Sequence, residues 1–329
     1  MGAHKLFCTE NILEEILVMS EDYLTVFNII HQFCDVVLNN DEEEIIEIIK
    51  NNPLLNSLFK RENAGLIADK SKYENLANKD FNVFLNDLLI LDLKERETKD
   101  IRDKYGILAF NLKETFIRDQ NFHYGYSIDK TNNTLNCWSE LFKDKPLVPL
   151  NSAIIIDNFL WTDVQKYTEE NNDNIYPILN SIIPQTLEVP FHLMIVVQNK
   201  AGNLTKSKAH SIINKMKKYI KSKSGIEISI ITQTDTKTFH ERAILTNYHY
   251  IQSHKGFVAF ANNKVKNETN GDRNWVFKDI DNYVGEIQKH KHISNAFKVH
   301  SLIQKNKLID TDVIFNEGFV DNTILSNFS

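Results

Sequence analysis

Phe239-His240-Glu241-Arg242-Ala243-Ile244-Leu245-Thr246-Asn247 is followed shortly by Ser253-His254-Lys255-Gly256-Phe257. The first stretch reads as a strand, on which alternate side chains share a face. His240 and Arg242 are therefore expected to point the same way, with Ala243 and Leu245 on the other side. Asn247 falls at the strand end. Ser253 and Lys255, on the next strand or turn, are placed to complete a ring of donors. A guanidinium beside an imidazole suits a phosphate. Arg gives paired charge-assisted bonds, and His serves as donor or nucleophile. The competing reading is that both side chains only bond neighbouring carbonyls and Glu241.

The surrounding sequence alternates short apolar runs with helical periodicity. In the second half, residues 153–156, 191–197, 226–231, 240–246, 250–253 and 257–260 read as strands. Residues 164–183 and 207–220 read as helices. The latter has Ala209, Ile212, Ile213, Met216 and Ile220 on one face and Gly225 beyond its end. Residues 275–290 and 294–304 are expected as closing helices. In the first half, residues 5–8, 81–85 and 107–110 read as strands, and 12–30, 41–50 and 92–104 as helices. Asp41, Glu42, Glu43 and Glu44 suit the first turn of the second of these, where acids meet the helix dipole. The alternation predicts an α/β chain with a small parallel sheet. Residues 1–120 are expected as one α/β domain, 121–148 as a connection and 149–329 as a second domain. Asp157 ends a strand of that domain, where α/β sites form and where a turn cap is equally at home.

Charge supports the division. Residues 1–150 hold 17 Lys and Arg against 26 Asp and Glu, and the remainder 21 against 18. An anion-binding surface therefore belongs to the second half. Between Glu188 and Glu227 there is no acid, but there are eight lysines, including Lys215 and Lys218. Those on the 207–220 helix lie opposite its apolar face, as a nucleic-acid backbone or an anionic membrane requires, although a solvated face has the same pattern. Cys8, Cys34 and Cys137 form no metal-ligand spacing, which points to a reducing compartment and a cytoplasmic location. No run reaches the roughly 18 apolar residues of a membrane span, so no membrane span is expected.

His240-x-Arg242-x4-Asn247 resembles the His-x-Lys-x4-Asp motif of the phospholipase D superfamily, with two of the three residues replaced. It is most similar to the degenerate phospholipase D-like domain at the C-terminus of MIT-domain-containing trafficking proteins and to bacterial relatives. There the pattern is His, acid, Arg and Asn, then a glycine turn, matched here by His240-Glu241-Arg242, Asn247 and Lys255-Gly256-Phe257. The resemblance covers residues 149–305. It implies a mixed sheet flanked by helices. It also implies a site in which Arg242, Ser253 and Lys255 hold phosphate, helped by Lys215 and Lys218, while His240 donates or attacks and Asn247 orients. Active members pair two motifs, so one motif implies a homodimer. Several bacterial relatives look like parts of antiviral defence or mobile-element systems.

Leu6-Phe7-Cys8-Thr9-Glu10-Asn11 and Phe84-Leu85-Asn86-Asp87 each put an acid after an expected strand. The order is similar to PIN-like nuclease domains, whose clustered acids hold Mg²⁺ or Mn²⁺. That resemblance makes Glu10 and Asp87, with Glu43 or Glu44, candidate metal ligands. Cys8-Thr9-Glu10-Asn11 stands where such domains have Asp-x-Asn.

The leading expectation is a phosphodiester-binding, nucleic-acid-binding protein that requires no cofactor. The enzyme alternative is a nuclease, acting without metal at paired His240 residues or with metal at the first-half acids. A protein–protein adaptor is the third class.

Overall fold

The computed structural model describes residues 4–19, 22–32, 34–52, 55–56, 65–114, 123–131, 135–143, 147–161, 174–199, 202–220, 223–233, 239, 242–276, 280–284, 287–307, 314–315 and 322–328. The chain divides into two compact units, Met1–Asn121 and Phe122–Ser329. The 121–148 stretch, expected as a connection, instead supplies a strand and a helix to the second unit.

In the first unit, β1 (His4–Phe7), β2 (Cys34–Leu38), β3 (Leu66–Ala68), β4 (Leu88–Ile90) and β5 (Leu108–Phe110) form a parallel sheet ordered β3-β2-β1-β4-β5. This is a doubly wound order, reversing between β1 and β4. The strands are short and fully apolar at their centres because helices cover a parallel sheet on both faces. Phe7, Val37, Phe84, Leu89 and Ala109 share one core cluster. Five helices belong to this unit among the described residues: α1 (Glu10–Val18), α2 (Leu24–Gln32), α3 (Glu42–Asn51), α4 (Lys70–Ala77) and α5 (Glu95–Tyr105). The expected 12–30 helix is thus two helices. The Asp41–Glu44 capping box opens α3; Gly106, at φ 65°, closes α5.

Residues 81–85 correct the expectation of a strand. Phe81–Phe84 is a 3-10 turn, capped by Asp80 on the Asn82 N–H, that sends both phenyl rings into the core. The strand follows it, and Cys34–Leu38 is a strand that the sequence reading did not anticipate.

The second unit is built on an eight-stranded sheet. Its strands are β6 (His123–Ile128), β7 (Ser152–Ile156), β8 (Phe191–Gln198), β9 (Ile226–Gln233), β10 (Arg242–Thr246), β11 (His249–Ser253), β14 (Thr269–Trp275) and β17 (Ile314–Phe315). The order is β17-β9-β8-β7-β10-β11-β14-β6. β7, β8 and β9 are parallel, and every other pairing is antiparallel. Two small hairpins complete the set: β12 (Phe260–Ala261) with β13 (Lys264–Val265), and β15 (Ile280–Val284) with β16 (Ile287–His290). The helices are α6 (Trp138–Lys143), α7 (Ile175–Ile182), α8 (Lys206–Tyr219) and α9 (Lys291–Lys307). A mixed sheet flanked by helices was expected, and the α/β class holds for both units.

Ile154, Ile156, Met194, Val196, Ile231, Ala243, Leu245 and Tyr250 line one sheet face, with Ala296 and Val299 of α9 in the same cluster. The expected 275–290 helix is corrected: Trp275 ends β14, and Ile280–Val284 pairs antiparallel with Ile287–His290. Apolar residues at 276, 277, 280, 283, 284 and 287 mimic helical spacing, but cross-strand pairing such as Val284 with Ile287 prevails. The expected strand at 257–260 is mostly loop. The helix expected over 164–183 is described only as α7; residues 162–173 lie outside the described residues.

Candidate anion-binding site

Arg242 opens β10. Because β10 runs antiparallel to β7 with Ala243 opposite Ile156, Arg242 stands level with Asp157, just past the carboxyl end of β7. Ligands of open α/β sheets bind at such an edge. The two-residue period sends Ala243 and Leu245 into the apolar cluster and Arg242 to the other face. Arg242 is half-buried. Its Nη1 donates to the His254 carbonyl at 3.2 Å, and its buried Nε has no hydrogen-bond partner.

The turn after β11 closes against this side chain. A Cβ on Gly256 would stand 2.9 Å from Asp157 Oδ2 and 3.1 Å from Arg242 Cδ, and Gly256 has φ 99°. Both the space and the left-handed backbone require glycine here. Asp157 is 1% exposed. Its Oδ2 accepts the Phe257 N–H and its Oδ1 the Phe159 N–H, each at 2.8 Å. On the far side of the turn, Trp138 Nε1 donates to the Phe257 carbonyl at 2.9 Å. The turn is therefore held by a carboxylate and an indole. Burial pushes the Asp157 carboxyl above the usual carboxylate range, against the backbone N–H groups of Phe257 and Phe159 and the charge of Arg242, which pull it down.

The expected site residues separate into groups. Ser253 is the cross-strand neighbour of Arg242. Its hydroxyl donates to the Gly256 carbonyl at 2.7 Å and meets Thr269 Oγ1 at 2.9 Å. It shapes the turn rather than facing a ligand. Lys255 is exposed beside it, with its N–H on Thr269 Oγ1 at 3.3 Å. His240 and Glu241 lie outside the described residues.

Asn247 is not in this group. It sits past the other end of β10, fully buried. Its Oδ1 accepts the N–H groups of Asn151 and Ser152, and its Nδ2 donates to Asn151 Oδ1 and Thr323 Oγ1. An amide engaged on all four counts is a structural tie. Lys215 and Lys218 occupy the later turns of α8, which heads for the amino end of β9, the edge opposite Arg242. Lys206 and Lys208 open that helix on the carboxyl edge and are exposed.

The first-unit acids do not converge as expected. Asp87 precedes β4, level with Lys5, whereas Glu10 follows β1 in α1; β1 and β4 are parallel, so the two lie at opposite ends of the sheet. Asp87 is buried and ion-paired with Lys72 at 3.2 Å. The correction follows from the strand shift: with β4 at Leu88–Ile90, the acid beyond its carboxyl end is Asp92. Glu10 and Glu44 do share a cleft of about 470 Å³ with Glu14, Glu47 and Asn52, while Glu44 pairs with Lys70. Glu43 is exposed on α3. Among the described residues no group of three His, Cys, Asp or Glu side chains forms a metal site, and no helix is long and apolar enough to cross a membrane.

No protein-family model matches the chain, and no curated protein matches it either.

Proposed function

We propose that the second unit is a phospholipase D-like domain that binds the phosphate groups of a phosphodiester, with nucleic acid as the ligand class. Arg242 is the principal anchor and Lys255 its exposed neighbour. The observation that carries this reading is the half-buried guanidinium at the carboxyl edge of β7, tied to the 254–257 turn by the single bond from Nη1 to the His254 carbonyl. A charged donor held in a polar cradle binds an anion without first losing side-chain freedom. The exposed lysines of α8 extend the positive field for a polyanion. A homodimer pairing two such sites and a cytoplasmic setting belong to the same reading.

The test is binding of fluorescent single- and double-stranded oligonucleotides across a salt series. Affinity is expected to fall linearly in log–log form with salt. Arg242→Ala is expected to weaken binding by roughly ten- to a hundredfold, the worth of a charge-assisted bond pair. Binding that ignores both salt and Arg242→Ala contradicts the proposal.

A further inference from the structure

We infer that Asp157 is the positioning residue of the Arg242 site and sets its charge, so that the site takes up a proton as it binds a phosphodiester. The inference rests on the phosphate reading above and adds a regulation to it.

Two roles meet in one carboxylate. Through Oδ2 it fixes the Phe257 N–H, and through Oδ1 the Phe159 N–H. These bonds lock the Gly256 turn, whose missing Cβ leaves the gap that Asp157 Oδ2 and Arg242 Cδ both border. The same carboxylate is buried within electrostatic reach of Arg242. While ionised, it offsets the guanidinium and repels an arriving phosphate. Once protonated, it keeps one oxygen for the Phe257 N–H and leaves the guanidinium charge to the ligand. The charged or titratable groups nearby are Arg242 from β10 and His254 and Lys255 from the turn; His240 and Glu241 lie outside the described residues. The burial that raises this carboxyl and an anion brought beside it act in the same direction, so binding favours proton uptake at Asp157.

The experiment measures affinity of the full chain for a short oligonucleotide between pH 5.5 and 8 at fixed ionic strength. The probe's phosphodiesters do not titrate in that range. Wild-type affinity is expected to fall as pH rises, by no more than about tenfold per pH unit for one proton. Asp157→Asn, which keeps only one acceptor for the two N–H groups, is expected to bind with a flatter pH profile than wild type whatever its affinity at pH 5.5. Both proteins retain His240 and His254, so the difference in slope reports the carboxyl. Equal slopes in the two proteins overturn the inference. If Asp157→Asn fails to fold, calorimetry of the double variant His240→Gln, His254→Gln in two buffers of different ionisation enthalpy replaces it. Proton uptake on binding is expected, and its absence overturns the inference. Loss of Arg242 dependence would instead remove the phosphate reading itself.

Discussion

Asn247 and Asn151 bond each other reciprocally: Asn247 Oδ1 accepts the Asn151 N–H at 2.9 Å and Asn247 Nδ2 donates to Asn151 Oδ1 at 3.2 Å. The pair ties the end of β10 to the entry of β7. Asn247→Ala would leave the buried N–H groups of Asn151 and Ser152 unsatisfied. A loss of about 2–4 kcal/mol of stability is expected from such orphaned groups, measured by denaturant unfolding. Oligonucleotide affinity of the folded variant is expected to match wild type. An affinity loss without a stability loss contradicts the assignment of Asn247 to structure.

Gly256→Ala tests the cradle. The methyl would meet Asp157 Oδ2 at 2.9 Å on a backbone with positive φ. The strain is of order 1–3 kcal/mol, and relief requires Asp157 or Arg242 to move. Lower thermal stability together with weaker oligonucleotide binding is expected. Unchanged binding would show that the turn does not hold Arg242 in its working position.

The second unit is expected to lose stability in mild acid through His249. This imidazole is fully buried against Trp275, with ring centroids 4.2 Å apart. Burial, then the charges of Arg273 and His292, holds it well below the ordinary histidine range. The unfolded chain takes the proton near pH 6.5 while the folded chain refuses it. The stability is therefore present above about pH 6.5 and is lost as pH falls below it, by at most about 1.4 kcal/mol per pH unit. His249→Phe keeps a ring beside Trp275 and removes the titration. Its melting temperature is expected to vary less than that of wild type between pH 7 and 5. Asp87 and Asp157, raised by burial, act with the opposite sign in both proteins, so the comparison isolates the imidazole. An equally steep acid limb in the variant contradicts this.

In the first unit, Glu114 and Arg102 form a buried ion pair at 2.9 Å, with Thr98 also donating to Glu114. Glu114→Ala removes this carboxylate from the buried guanidinium. Removing one partner of such a pair costs roughly 3–5 kcal/mol. Faster amide exchange in α5 and β5 is expected, and unchanged exchange there argues against the pair as a tether.

The sequence announced some of the strands that are continuous apolar runs. Ile154-Ile155-Ile156, the β8 run and Ala243-Ile244-Leu245 are such runs, buried on both faces, whereas the equally apolar Val36-Val37-Leu38 and Leu88-Leu89-Ile90 were not read as strands. The α8 helix was legible from its period. The β15–β16 hairpin was not, since its pairing prevails over a helix-like spacing. Phe81-Asn82-Val83-Phe84 alternates like a strand, but Asp80 caps it into a 3-10 turn. That shift moved Asp87 from the end of a strand to the beginning of one. Arg242 was legible because its face follows from the two-residue period. The role of Asn247 was not, because its partners lie 96 residues away in sequence. Asp157 was visible as a strand-end acid, but its place beside Gly256 depends on contacts about a hundred residues apart.

The most direct measurement is the Nε–Hε resonance of Arg242 in arginine-labelled chain, followed as a phosphodiester oligonucleotide is added. The account predicts a saturable shift at that resonance, with the same midpoint as the binding isotherm. A bound complex in which the Arg242 resonance stays still contradicts it.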